Sequence, residues 1–158
     1  DCTHILTQNA LSQPQVLVHR DFHSRNLMFL DSGNPGILDF QDAVIGPITY
    51  DLVSLLRDCY VSLNSDVVAD FSLYFYKNLD EEDKAGISHN QFTKFFDLMG
   101  IQRHLKAVGI FTRLNYRDGK SIYLNDIPRT LEYILTVAEN YPEIIFLVEL
   151  IKKLRSKG

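Results

Sequence analysis

Cysteine is scarce in this chain. Two occur, Cys2 and Cys59, with no metal-type spacing and too few for a disulfide framework, so both are expected as reduced thiols of a cytosolic protein. An excess of basic charge is lacking as well. The formal net charge is −4, which argues against a general nucleic-acid binder, because neutralising phosphates takes clustered Lys and Arg. The basic end, Lys152, Lys153, Arg155 and Lys157, reads as the charged terminus of a helix, favoured by the helix dipole. Long apolar runs are missing. The stretch Ile144 to Val148 is far too short to span a bilayer, so no membrane role is expected. The start, Asp1-Cys2-Thr3-His4, has no basic segment, apolar core or cleavage site of a signal peptide and no initiator Met. The expectation is therefore a cytoplasmic protein and an excised fragment of it. No internal repeat or low-complexity tract is found.

What is present is apolar material in ordinary proportion. The chain has 158 residues, of which 46% are hydrophobic and 23% charged, enough for a globular domain with a sizeable core. The first third reads as strand-like. Val16-Leu17-Val18 is a β-branched run behind Pro14, Leu27 to Leu30 is a second run, and Ile37-Leu38 begins a third. The cluster Asp31-Ser32-Gly33-Asn34-Pro35-Gly36 between the last two predicts a hairpin. After Gly46-Pro47 the pattern becomes helical. Thr49 is the expected N-cap of a helix with Asp51 in its first turn, and Val67–Leu79 and Asn90–Leu114 follow as amphipathic segments. In the latter, Phe92, Phe95, Phe96, Met99, Leu105, Val108 and Phe111 form an apolar stripe that reads as core. Pro128 opens a further helix to about Asn140, and Pro142 a last one.

The segment that carries chemistry is His19-Arg20-Asp21-Phe22-His23-Ser24-Arg25-Asn26, followed by Asp39-Phe40-Gln41. The layouts H-R-D-x-x-x-x-N and D-F-G occupy these places in eukaryotic-like kinases. Phosphoryl transfer needs a carboxylate beside the acceptor hydroxyl and oxygen ligands for Mg²⁺. Asp21 suits the first task, and Asn26 and Asp39 the second. His19, Asp21 and His23 also alternate as they would on one strand face, which leaves a transition-metal site as a rival reading.

The run Val16 to Leu27 resembles the catalytic loop of the aminoglycoside and choline-type phosphotransferases, with His23 where protein kinases carry Lys. The resemblance implies Asp21 as catalytic base and Asn26 and Asp39 as Mg²⁺ ligands. It also implies that His19 buttresses the loop, with Arg20 beside it, and that Asp51 braces the loop backbone. Longer blocks, Asp39 to Ala43, Thr49 to Asp58 and Phe96 to Lys106, are similar to bacterial anomeric sugar kinases of cell-wall recycling. That group phosphorylates the C1 hydroxyl of N-acetylmuramate or N-acetylglucosamine with ATP. Gln41 stands where protein kinases have Gly, and Arg20 where many antibiotic kinases have Gly.

The expected fold is α+β: the C-terminal lobe of a protein-kinase-like fold, with a short β-hairpin catalytic and metal-binding segment over 1–48. A mainly helical substrate-binding subdomain is expected over 49–158. Ser24 and Arg25 are expected at the ATP phosphates, and His23, Gln41, Arg103 and His104 at the acceptor. Arg103 and His104 are assigned to the polar side of the long helix, where a solvated face is the competing reading. No Gly-rich loop and no strand Lys with a partner Glu occur; a nucleotide-binding lobe holding them would take about 150–200 residues upstream. The chain is expected to expose an apolar face where that lobe packs, a face that invites dimerisation. Gly119-Lys120-Ser121 lacks the preceding strand and glycine of a phosphate loop and reads as a turn. Two other readings stand beside the sugar kinase: a kinase for another small alcohol, and a non-catalytic helical binding module.

Overall fold

The computed structural model describes residues 2–156 and is α+β: seven α-helices and four short strands among the described residues. The chain opens with a helix, α1 (Cys2–Leu11), where the sequence pattern predicts a strand-like start. Cys2, Ile5 and Leu6 recur at helical spacing and pack against one apolar cluster, a periodicity masked in the sequence by the intervening polar residues. Beyond Pro14, β1 (Gln15–Val18) pairs antiparallel with β4 (Val44–Pro47), in the register Gln15↔Pro47 to Val18↔Val44. The segment 44–47 is not expected as a strand, because Gly46 and Pro47 read as breakers. Here Pro47 ends an edge pair, where a missing N–H costs little, and Gly46 is required: a Cβ there would lie 2.7 Å from Val18 Cγ2.

Between these strands lies a hairpin of β2 (Leu27–Met28) and β3 (Gly36–Ile37), as the turn residues predict. Asn34 closes its loop, accepting from Leu30 N and donating to Leu30 O, both at 2.6 Å. Because Val18 pairs with Val44, the segment leaving β1 and the segment entering β4 start from one point. Residues 19–26 and 38–43 are thereby brought onto one end of the strand pair.

Then come α2 (Tyr50–Leu56), α3 (Ser65–Asn78) and α4 (Glu81–Lys84). Asn64 caps α3 by accepting Asp66 N–H at 3.0 Å. Thr49, expected as the cap of α2, makes no cap bond. It is fully buried, and its hydroxyl donates to Gln13 Oε1 at 2.7 Å, a partner 36 positions away that no local pattern reveals. Helix α5 (His89–Asp118) carries the expected apolar stripe, with Phe92, Phe95, Phe96, Met99 and Phe111 buried. It ends at Gly119, φ +66, with Lys120 N–H on Leu114 O and Gly119 N–H on Asn115 O. The left-handed glycine bonded to Asn115 O is the αL helix stop, so Gly119-Lys120-Ser121 is the end of a helix. Helices α6 (Ile127–Ala138) and α7 (Ile145–Arg155) complete the chain.

Two compact units result, residues 10–96 and residues 1–9 with 97–158. The second is organised around Leu6, Leu98, Ile101, Ile134, Ile144 and Val148. In the first, Phe92 lies against Phe75 and Tyr76, with ring centroids 6.0 and 5.3 Å away. No helix among the described residues is long and apolar enough to cross a membrane.

Candidate active site

The site is built from the bottom of β1. The strand stops at Val18, so His19, Asp21 and His23 belong to a loop. The strand-face alternation that a transition-metal site would use is absent, and among the described residues no three His, Cys, Asp or Glu side chains are grouped to hold an ion. The loop is held by side chains. Asp51, in the first turn of α2, accepts His19 N–H at 2.5 Å and Arg20 N–H at 3.0 Å through its two carboxylate oxygens. His19 Nε2 lies 2.8 Å from Leu38 O, which places the ring proton on Nε2. Arg20 adopts φ +77, a left-handed conformation that side chains other than Gly rarely take, and its Nη1 reaches Asp42 O at 3.4 Å.

Past Asp21 the backbone tightens. His23 N–H returns to Asp21 O at 3.0 Å, and Asn26 N–H to His23 O at 2.9 Å, giving a 3₁₀ turn over Ser24–Asn26. The Asn26 amide nitrogen donates to Asp21 O at 3.0 Å, which fixes the amide orientation and leaves its oxygen out of that bond. Leu38 N–H donates to Asn26 O at 2.9 Å, extending the β2–β3 pairing and setting Asn26 beside the chain that carries Asp39. Asp39 also has a left-handed backbone, φ +66, a conformation Asp tolerates better than most residues. Gln41 donates to its Oδ1 at 2.6 Å. Asp21, Asn26 and Asp39 are thus gathered from one loop and one hairpin. The oxygens of Asn26 and Asp39 are hard donors of the kind Mg²⁺ takes, and the donor set fits that ion.

The other expected residues divide between the loop and the helices. Arg25 is exposed, its guanidinium carbon 3.6 Å above the Tyr60 ring. His23 meets the same ring edge-on at 5.5 Å. Ser24 presents its N–H to Asp58 Oδ2 at 2.9 Å. Sequence reasoning gives Asp58 and Tyr60 no role. Their signal in the sequence is faint: an acid just past the C-terminal end of a helix, where the dipole disfavours it. Arg103 and His104 belong to the other unit. His104 is 2% exposed and stacked on Tyr133 at 5.1 Å and 15°. The placement of His104 on a polar helix side is therefore corrected: its ring is buried against Tyr133. Arg103 is half-buried.

Beside the loop lies a hollow of about 430 Å³, lined mainly by Leu17, Phe22, Ile37, Phe40 and Ala43, with His19 and Asp51 at its polar edge. Around it the strand region leaves large apolar side chains in solvent, Leu17 at 73%, Ile45 at 68% and Phe40 at 68% exposure.

Known proteins resemble this chain over most of its length. The chain is 47% identical over 148 residues to the N-acetylmuramate/N-acetylglucosamine kinase of Neisseria meningitidis serogroup B, covering 91% of this chain and 43% of that protein. It is 47% identical over 156 residues to the protein of that name from Pseudomonas putida, covering 96% and 45%. It is 46% identical over 151 residues to the one from Pseudomonas aeruginosa, covering 95% and 44%. The chain thus spans less than half the length of the curated relatives it matches. The family profile described as the phosphotransferase enzyme family (APH) matches residues 4–84. That match takes in the whole loop, the hairpin, Asp51 and Asp58, and the chain belongs to the phosphotransferase enzyme (APH) family.

Proposed function

We propose that this chain is the catalytic lobe of an ATP-dependent sugar kinase that phosphorylates the anomeric hydroxyl of an N-acetylated amino sugar, N-acetylmuramate or N-acetylglucosamine. Asp21 is the base, Asn26 and Asp39 hold Mg²⁺, and Ser24 and Arg25 meet the phosphates. Segment 1–48 is the catalytic and metal-binding part, with His23 and Gln41 as acceptor contacts, and 49–158 is the helical substrate-binding part, to which Arg103 belongs. The observation that carries this reading is the bond from Leu38 N–H to Asn26 O. It lays the backbone of Asn26 beside the chain that leads into Asp39, next to a loop, residues 19–26, whose only carboxylate is Asp21. The relatives' names support the acceptor class.

The chemistry follows from these positions. Asp21 takes the proton of the C1 hydroxyl as its oxygen bonds to the γ-phosphorus, while the bond from that phosphorus to the β-phosphate oxygen breaks and ADP leaves. A hemiacetal hydroxyl is more acidic than an ordinary alcohol, so a carboxylate base faces a lighter task. Mg²⁺, when bound, neutralises charge on the transferring phosphates. The chain's residues orient the acceptor and keep the loop still. The exposed apolar side chains around the hollow support a nucleotide-binding lobe packing on this face, within a cytoplasmic enzyme.

The test is to incubate the complete gene product with Mg-ATP and N-acetylmuramate and to heat the product in dilute acid. A sugar phosphate that hydrolyses readily supports the anomeric reading, since C1 phosphates are far more labile than ordinary phosphate esters. A stable product moves the transfer to another hydroxyl. No product from any amino sugar favours another alcohol or a binding module.

A further inference from the structure

Helix α2 carries a carboxylate at each end, and both reach the same loop. Asp51 in its first turn holds His19 and Arg20. Asp58, two residues past its last turn, holds Ser24 N–H at 2.9 Å with Oδ2 and Tyr60 N–H at 2.8 Å with Oδ1. Asp58 is 3% exposed, and both of its oxygens are used. An acid buried near the negative end of a helix is disfavoured by the dipole and by desolvation, so the two N–H bonds are what hold it there. Tyr60, anchored by the same carboxylate, then spreads its ring under Arg25 and against His23.

We propose that Asp58 is a positioning residue for phosphoryl transfer, acting through Ser24 and Tyr60 to fix the half of the loop that carries His23, Arg25 and Asn26. The span supports this. From Asp51 to Asp58, α2 advances about 10 Å, while the four residues from Arg20 to Ser24 reach at most about 14 Å. Pinned at both ends, the segment bearing Asp21 has only a few ångströms of slack. Misplacement of a reacting group by about 1 Å can cost about 10²-fold in rate. The catalytic readout rests on the kinase reading above; the structural readout does not.

The experiment is a double-mutant cycle in the complete gene product, D58N with S24P. Pro at position 24 deletes the N–H that Asp58 accepts together with the Ser24 hydroxyl, a loss common to both arms of the S24P comparison, so the cycle isolates the coupling to Asp58. Its predecessor His23 already has the extended φ −129, ψ 170 that a residue before Pro prefers, and position 24 opens a 3₁₀ turn. We expect D58N to lower kcat about 10- to 100-fold with KM for both substrates within about 3-fold. In the S24P background the same change should cost markedly less. Equal losses in both backgrounds, or a D58N enzyme with normal kcat, overturn the proposal. Hydrogen exchange keeps the test open whatever the acceptor: D58N should speed exchange across 20–26 and leave α5 unchanged. Unaltered exchange in the loop overturns the proposal even if no sugar is phosphorylated. Failure of the kinase reading alone shows instead as an inactive parent protein whose loop still loosens in D58N.

Discussion

The two units of this chain are held by different forces. In residues 1–9 and 97–158, helices close on fully buried side chains such as Ile134 and Ile144. Polar contacts lie mostly at the rim, as in Arg155 with Glu132 and Lys152 with Glu139, both at 2.9 Å on exposed side chains. In residues 10–96 the ordering of the loop comes from carboxylates that clasp backbone N–H groups 31 to 34 residues away. That region also carries the non-glycine residues at positive φ, Arg20 and Asp39 in the site segments and Ala85 after α4, and leaves large apolar side chains in solvent. One unit devotes its residues to burial, the other to position. A site that must hold three polar groups still cannot rely on non-directional apolar packing alone.

The sharpest way to separate the two is to perturb each through the force that holds it. Asp21→Asn removes a carboxylate with little packing role, since the bonds that shape its loop involve its backbone. Turnover of the complete gene product should fall about 10²- to 10⁴-fold, with the melting temperature unmoved. Near-normal turnover would remove Asp21 from the base role. Ile134→Ala should do the reverse. The side chain is fully buried, so unfolding in urea should show a loss of about 2–5 kcal/mol, while kcat per folded molecule stays constant. A fall in kcat without loss of stability would mean that the helical unit also sets the geometry of the chemistry.

How much of this was legible depended on which force was at work. Asp21, Asn26 and Asp39 stand out in the sequence because the proposed phosphoryl transfer asks for those residue types at that spacing. The long helix could be read because Phe92, Phe96 and Met99 repeat at the helical period. The hairpin was written in Gly33, Asn34 and Pro35. What stayed hidden were pairings decided across the chain. Thr49 looks like a cap until Gln13 claims its hydroxyl. Val44 to Pro47 looks like a break until β1 lies beside it. Asp58 looks like a surface acid until Ser24 turns its N–H toward it. His104 looks polar until Tyr133 covers it. Each miss is a tertiary contact overriding a sound local rule.

The boundary between burial and position can be probed where the two meet, at Gly46. Its missing side chain lets β4 lie against Val18, and this strand pair is the root of both site segments. Gly46→Ala sets a methyl 2.7 Å from Val18 Cγ2, and Val18 is itself buried, so the side chain or the strand must shift. A loss of about 1–3 kcal/mol is expected, together with a drop in kcat larger than that for Ile134→Ala. Stability lost with kcat intact would show that the loop clasps hold the site without help from its root.

The smallest effect belongs to Arg20, and its sign is the informative part. Its φ of +77 costs an L-residue about 1–2 kcal/mol, a cost sustained because Asp51 grips the N–H of that residue. Glycine takes this conformation freely but gives up about 0.5–1 kcal/mol through the larger entropy of the unfolded chain. Alanine keeps the strain and, like glycine, loses the contact to Asp42 O. Arg20→Gly should therefore be the more stable of the two, by up to about 1.5 kcal/mol, when their urea midpoints are compared. The two variants differ only in the Cβ, so lost guanidinium contacts cancel in the comparison. If alanine is the more stable, the loop at residue 20 is not under strain, and Asp51 holds a segment that would take the same shape without it.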